Sequence, residues 1–184
     1  LSRKIKSLGR IESETGEANN WTHEGRPDPT MDLLSTHPIK TSDLGFHGNL
    51  FGGAVLAWMD ASAVSYAMRL CGEPRMLTLS LEDCHFKKTV KEGEVLSLYG
   101  FPCHQGRSSI RIAVEARALN LTLQEEWTVL CACLRFVCVD GQGKSKPISE
   151  TARERIAGMM GGRSVAAATG VGGNGAEGLN GWGI

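Results

Sequence analysis

The chain has 184 residues, enough for one ordinary domain with its own core and short for two. Its 20 lysines and arginines balance 20 aspartates and glutamates, so no overall field draws it onto nucleic acid or an anionic membrane surface. Six cysteines (Cys71, Cys84, Cys103, Cys131, Cys133 and Cys138) sit in hydrophobic runs without a Cys-x-x-Cys spacing; they read as reduced, buried thiols of an intracellular protein, not as a disulfide frame or a metal site.

The opening LSRKIKSLGR is basic, hydroxylated and free of acids, like the remainder of an organelle-targeting presequence. That points to the mitochondrial matrix, with the cytoplasm as the other option. Residues 1–30 are polar and without a sustained period, and read as an N-terminal extension. TMDLLSTHPIK supplies a first strand ending at the turn-prone TSDLG. From Gly52 to Leu70 nearly every residue is apolar or small, which predicts a helix covered on all sides. Asp60 breaks this apolar run, which argues against a membrane span. Gly72 and Pro74 stop the helix, because glycine suits the C′ position and proline cannot continue the ladder.

After the helix the period changes to two. In MLTLSLE, Leu77, Leu79 and Leu81 alternate with Thr78, Ser80 and Glu82, as a half-buried strand requires. EVLSLYGF is a second such strand. In SSIRIAVEARAL, Ile110, Ile112, Val114 and Ala116 form a dry face, with Arg111, Ala113, Glu115 and Arg117 on a wetter one. EEWTVLCACLRFVCVD is apolar at both parities and reads as a strand covered on both faces. SETARERIAG is a short helix with Ser149 as N-cap. The order yields an α+β domain of one sheet around one central helix over residues 31–148, followed by a segment 149–184 with the short helix and a glycine-rich tail. An ordered tail of that composition would need support from outside the domain.

The chemistry concentrates around Asp60. A carboxylate about two turns into an apolar helix loses water, at a cost of several kcal/mol unless it is paired, bonded or protonated. Leu56, Ala57, Ala63 and Val64, one turn away, cannot answer it. Its partner must come from elsewhere in the fold or from another subunit. Such an acid is either a general base or nucleophile, or a structural acid tied to a facing group. The glycines upstream have the same two readings. Free amides near Gly52, Gly53 and Ala54 can stabilise an oxygen gaining charge, or the glycines merely permit close packing. Cys84-His85 and Cys103-His104 are not dyads, because strand neighbours face opposite ways. Serine-hydrolase and P-loop signatures are absent from the sequence.

HGNLFGGAVLAWMDASA, HFKKTVKEGEVLSLYG, GRSSIRIAVEARA and FVCVDGQGKSKPI together resemble the hotdog-fold acyl-CoA thioesterases, in the branch of the bacterial YciA-like enzymes and the mammalian cytosolic and brown-fat-inducible acyl-CoA hydrolases. The resemblance runs from about Asp32 to Ile148. It implies a five-stranded antiparallel sheet wrapping the helix, a hotdog dimer or hexamer with sites between protomers, and hydrolysis of a fatty acyl-CoA. Coenzyme A enters as part of the substrate; no cofactor or metal is implied. Asp60 matches the family's general base or nucleophile, and the Gly53 amide the group that polarises the thioester carbonyl. Arg107, Ser108 and Ser109 fall where the family often contacts coenzyme A; Gly52 at the helix entry is a further substrate-binding candidate, as is Lys88, which flanks a strand end and reads either as a contact to a phosphorylated carrier or as part of a solvated face. The asparagine that relatives carry fifteen positions ahead of the acid is Gly45 here, and His47 or Asn49 is the candidate replacement. This departure, with the extensions, motivates a second expectation: a catalytically impaired, thioesterase-like subunit of a larger assembly, joined to other subunits through the tail.

Overall fold

The computed structural model describes residues 31–161. The N-terminal extension and the glycine-rich tail expected from composition lie outside the described residues. Within them, five strands form one antiparallel sheet: β1 (Asp32–Pro38), β2 (Met76–Phe86), β3 (Val95–Gln105), β4 (Ser109–Asn120) and β5 (Glu125–Cys138). Their spatial order is β1-β3-β4-β5-β2. The sheet curls around α1 (Gly52–Cys71), and a second helix, α2 (Glu150–Gly161), follows β5. This is the α+β architecture expected from the sequence.

Helix α1 starts after Phe51 and ends where Gly72 takes the left-handed conformation at φ 66°, its amide bonding back to the Met68 carbonyl. Glycine adopts that conformation without the Cβ penalty, so the stop signal operates as read. Val55, Met59, Ala63 and Ala67, spaced four apart, are at most 2% exposed. They pack on the inner faces of Leu98, Ile112, Val114, Leu134 and Phe136. The helix is not covered on all sides, however. Ala57, Ala61, Ser65 and Arg69, also four apart, form an exposed stripe that the small, weakly polar residues had concealed.

The strands correct two further expectations. Alternation assigned Glu115 and Arg117 to a wetter face, yet they are 0% and 3% exposed. They face away from α1 but are neutralised together: Arg117 Nε lies 2.9 Å from Glu115 Oε1, which also accepts from Thr128 Oγ1 at 2.7 Å. Pairing of this kind is what allows charges to leave water. In β2 the leucines do not share one face. The pairing with β5 shifts between Thr78 and Ser80, so Leu77 opposes Val137 whereas Leu81 opposes the core residue Leu134. The extra residue of this bulge reverses the side-chain parity as far as Glu82, and a second shift between Glu82 and His85 restores it. Leu77, Leu79 and Leu81 remain 52%, 53% and 42% exposed along the sheet edge.

At the other edge, β1 is stitched to α1 by Ser35 Oγ, 2.7 Å from Ser62 Oγ and 2.9 Å from His37 Nε2. The His37 ring stacks flat on Trp58 at 4.4 Å. Burial lowers the His37 pKa below its ordinary value of 6.5, with Asp43 opposing. Ser149 Oγ accepts from the Ala152 amide at 3.3 Å and caps α2 as read from the sequence. Arg155 of α2 donates to the Leu70 carbonyl and so covers the C-terminal end of α1. All six cysteines are free. No described helix is long and apolar enough to cross a membrane.

Candidate active site

Asp60 is half-buried, not sealed in the core as its apolar neighbours suggested. The answering group is Thr78 on β2, whose Oγ1 donates to Asp60 Oδ1 at 2.7 Å. This hydroxyl holds the carboxylate against the sheet edge and leaves its second oxygen for another partner. Sequence reading passed over Thr78, because alternation gave it only as one of the polar positions of a strand. The available signal was a hydroxyl at the start of the strand that follows the acid-bearing helix.

The start of α1 is built differently. Phe51, at the N-cap position, makes no side-chain cap. The Ala54 and Val55 amides both reach the Phe51 carbonyl, at 3.0 and 3.3 Å, while the Gly52 and Gly53 amides have no acceptor among the described residues. Uncapped first-turn amides at the positive end of the helix dipole are suited to an oxygen carrying negative charge. A Cβ on Gly53 would sit 2.5 Å from Phe51 Cε1, so the glycine gives room to that ring. Beside it opens a cleft of about 260 Å³ with Leu50, Val55, Val90 and Val129 as apolar lining and Lys87 and Lys88 at its border.

The preceding loop is held by its own backbone: Gly45 N donates to Asn49 O at 2.7 Å, and Gly48 N to Gly45 O at 3.0 Å. Gly48 stands at φ 68°. His47 is exposed and meets Phe46 edge-on at 5.2 Å. A Cβ on Gly45 would make only ordinary contacts, the nearest being Phe51 Cδ2 at 3.6 Å. Arg107, Ser108 and Ser109 form the β3–β4 turn, closed by the Gly106 amide bonding Ser109 O at 2.8 Å.

These residues do not converge on one point of the chain. Gly52 and Asp60 are eight residues apart, about 12 Å along the axis at 1.5 Å per residue. The sheet repeats the division. Thr78 lies in register with Phe136 and then Ile110, one residue from the Arg107–Ser109 turn. Phe86, in register with Leu130 and Ala116, packs instead beside Gly52. Asp60, Thr78 and the Arg107–Ser109 turn therefore occupy one end, and Gly52, Gly53, Lys88, His47 and Asn49 the other. Within one chain the length of α1 keeps His47 and Asn49, the candidate replacements for the missing asparagine, away from Asp60.

A fold of this topology with an acid in the central helix defines a class. The sequence profile of the Thioesterase superfamily matches residues 47–124. A Haemophilus influenzae protein named uncharacterized acyl-CoA thioester hydrolase is 32% identical over 134 residues, covering 71% of this chain and 86% of the relative. The Escherichia coli acyl-CoA thioester hydrolase YciA is 24% identical over 123 residues, or 65% of this chain and 92% of that one. Among solved structures, a hexameric broad specificity acyl-coenzyme A thioesterase superposes with a TM-score of 0.64 at 28% identity, covering 77% of this chain and 95% of that chain. A hexameric hotdog fold thioesterase of Campylobacter jejuni gives 0.65 at 28% identity, over 70% of this chain and 98% of that chain. The chain belongs to the thioesterase superfamily and has the hotdog fold.

Proposed function

We propose that the protein is an acyl-CoA thioester hydrolase in which Asp60 is the general base or nucleophile and the amides at Gly52 and Gly53 polarise the thioester carbonyl. The observation that carries this reading is the pairing of a half-buried helix carboxylate with a Thr78 hydroxyl at an open sheet edge. The curated relatives act on the same class of substrate by name, and one neighbouring thioesterase was also solved with an aspartate replaced by alanine.

The two separated ends become one site when two copies meet. Strand β2 is an edge strand with exposed leucines, the kind of edge that must be covered. A two-fold axis through its middle lays two β2 strands antiparallel, so the Asp60 and Thr78 end of one protomer adjoins the Phe86 and helix-start end of its partner. The thioester then lies between an acid from one copy and amides from the other. The apolar cleft takes the substrate's non-polar arm. Lys88 and Arg107, with Ser108 and Ser109, offer donors to the phosphates of coenzyme A.

Gly45 favours the alternative of an impaired subunit, since nothing but hydrogen replaces the family's amide side chain. The intact Thr78–Asp60 pair weighs for an active enzyme. Thiol release from acyl-CoA of graded chain length decides between them. Hydrolysis should fall by about 10²- to 10⁴-fold in Asp60→Asn, which keeps shape and removes basicity. Absence of thiol release at every chain length, or full rate in the variant, overturns the proposal.

A further inference from the structure

On the sheet face turned away from α1, two thiols that the catalytic reading does not use point at each other. Cys103 Sγ and Cys133 Sγ are 3.7 Å apart. They belong to β3 and β5, which lie on either side of β4. Backbones two strands apart are about 9.5 Å from one another, whereas a disulfide needs Cα atoms within about 7 Å. Direct S–S bonding would therefore tear the sheet. The sulfurs come close because Cys103 is the unpaired residue where the β3–β4 register shifts between Pro102 and His104. Such a bulge re-aims its side chain, here across β4 toward Cys133.

One atom inserted between the sulfurs needs no backbone movement. Two thiolates bound tetrahedrally to one zinc ion at about 2.3 Å have their sulfurs about 3.75 Å apart. We propose that Cys103 and Cys133 form a two-thiolate site for a soft divalent cation of the zinc type, remote from the catalytic acid and with its other coordination positions left to solvent or a small ligand. Among the described residues no cluster of three or more metal-binding side chains joins them. The nearest carboxylate, Glu82, opposes Cys133 across β2–β5 but is held by Arg111 at 3.2 Å and Arg135 at 3.5 Å.

Binding balances without redox chemistry: both sulfurs bind as thiolates, the S–H protons they carry leave to solvent, and no electron is transferred.

Cobalt(II), a spectroscopic stand-in for zinc, tests the site on the full-length protein. One equivalent should produce a sulfur-to-cobalt charge-transfer band, abolished by zinc and reduced at least tenfold in both Cys103→Ser and Cys133→Ser. Cys84→Ser, at a thiol outside the pair, should keep it. Circular dichroism identifies any variant that fails to fold, and Cys103→Ala then replaces it. A wild-type protein without the band overturns the proposal, as does a band that survives either substitution in a folded variant. Because neither thiol is assigned a role in hydrolysis, a negative result leaves the catalytic proposal untouched.

Discussion

Thr78→Val offers a sharp test of how Asp60 is held. The two side chains have nearly the same shape, so the change removes one hydroxyl and the 2.7 Å bond it gives to Asp60. A hydrogen bond to a charged group contributes about 1.5–3 kcal/mol; because Thr78 is solvent-exposed, the low end applies. A loss of about 1.4 kcal/mol in the transition state is a tenfold drop in rate. We expect kcat for acyl-CoA hydrolysis to fall about tenfold with KM little changed, and stability to fall by no more than the same ~1.5 kcal/mol that the bond contributes to the folded chain. Thr78 acts through Asp60, so Thr78→Val should add less than about twofold in an Asp60→Asn background, the non-additivity of residues that work as a unit. An undiminished rate in the single variant, or a full tenfold loss repeated in the Asp60→Asn background, refutes the reasoning.

Leu79→Lys puts a charge on the exposed edge of β2; light scattering should show dissociation to protomers, and hydrolysis should fall in proportion while circular dichroism is unchanged. Gly45→Asn meets no contact at its Cβ closer than 3.6 Å, so the protein should fold normally and, in the assembled enzyme, gain kcat through an added amide donor; an unaltered kcat would show that the loop does not face the reaction. His37 is stabilised in its neutral form by burial, so the unfolded chain binds the proton more tightly than the native one. Stability from this group is complete above pH 6.5 and is lost as pH falls through the lower native value; thermal melts should show this acid-side decline, and His37→Phe, which keeps the ring on Trp58, should remove its share.

What could be read from the sequence were features written in local backbone chemistry. The stop at Gly72, the Ser149 cap and the apolar stripe of Ile110, Ile112 and Val114 depend on one residue or one period, and all three are found. Features decided by a neighbouring strand were not legible. The bulge after Thr78 exists only in the pairing with β5, and it cancels the clean leucine alternation. Glu115 and Arg117 looked like solvent residues because their mutual neutralisation is a cross-residue property. Asp60 stood out by its chemistry, but its partner Thr78 is an ordinary residue made important by where the chain returns.

The separation of acid and amides by two helical turns carries a consequence for how the protein is controlled. In the two-copy site proposed above, a lone chain would hold each half of the reaction centre and use neither, so a freshly made or highly diluted molecule would spare the acyl-CoA around it. Encounter with its twin would then be the switch, and abundance would set the rate more steeply than in proportion. Mixed populations follow the same logic: a copy lacking the acid and a copy lacking a usable helix start can join to give one wholly defective centre and one that is whole.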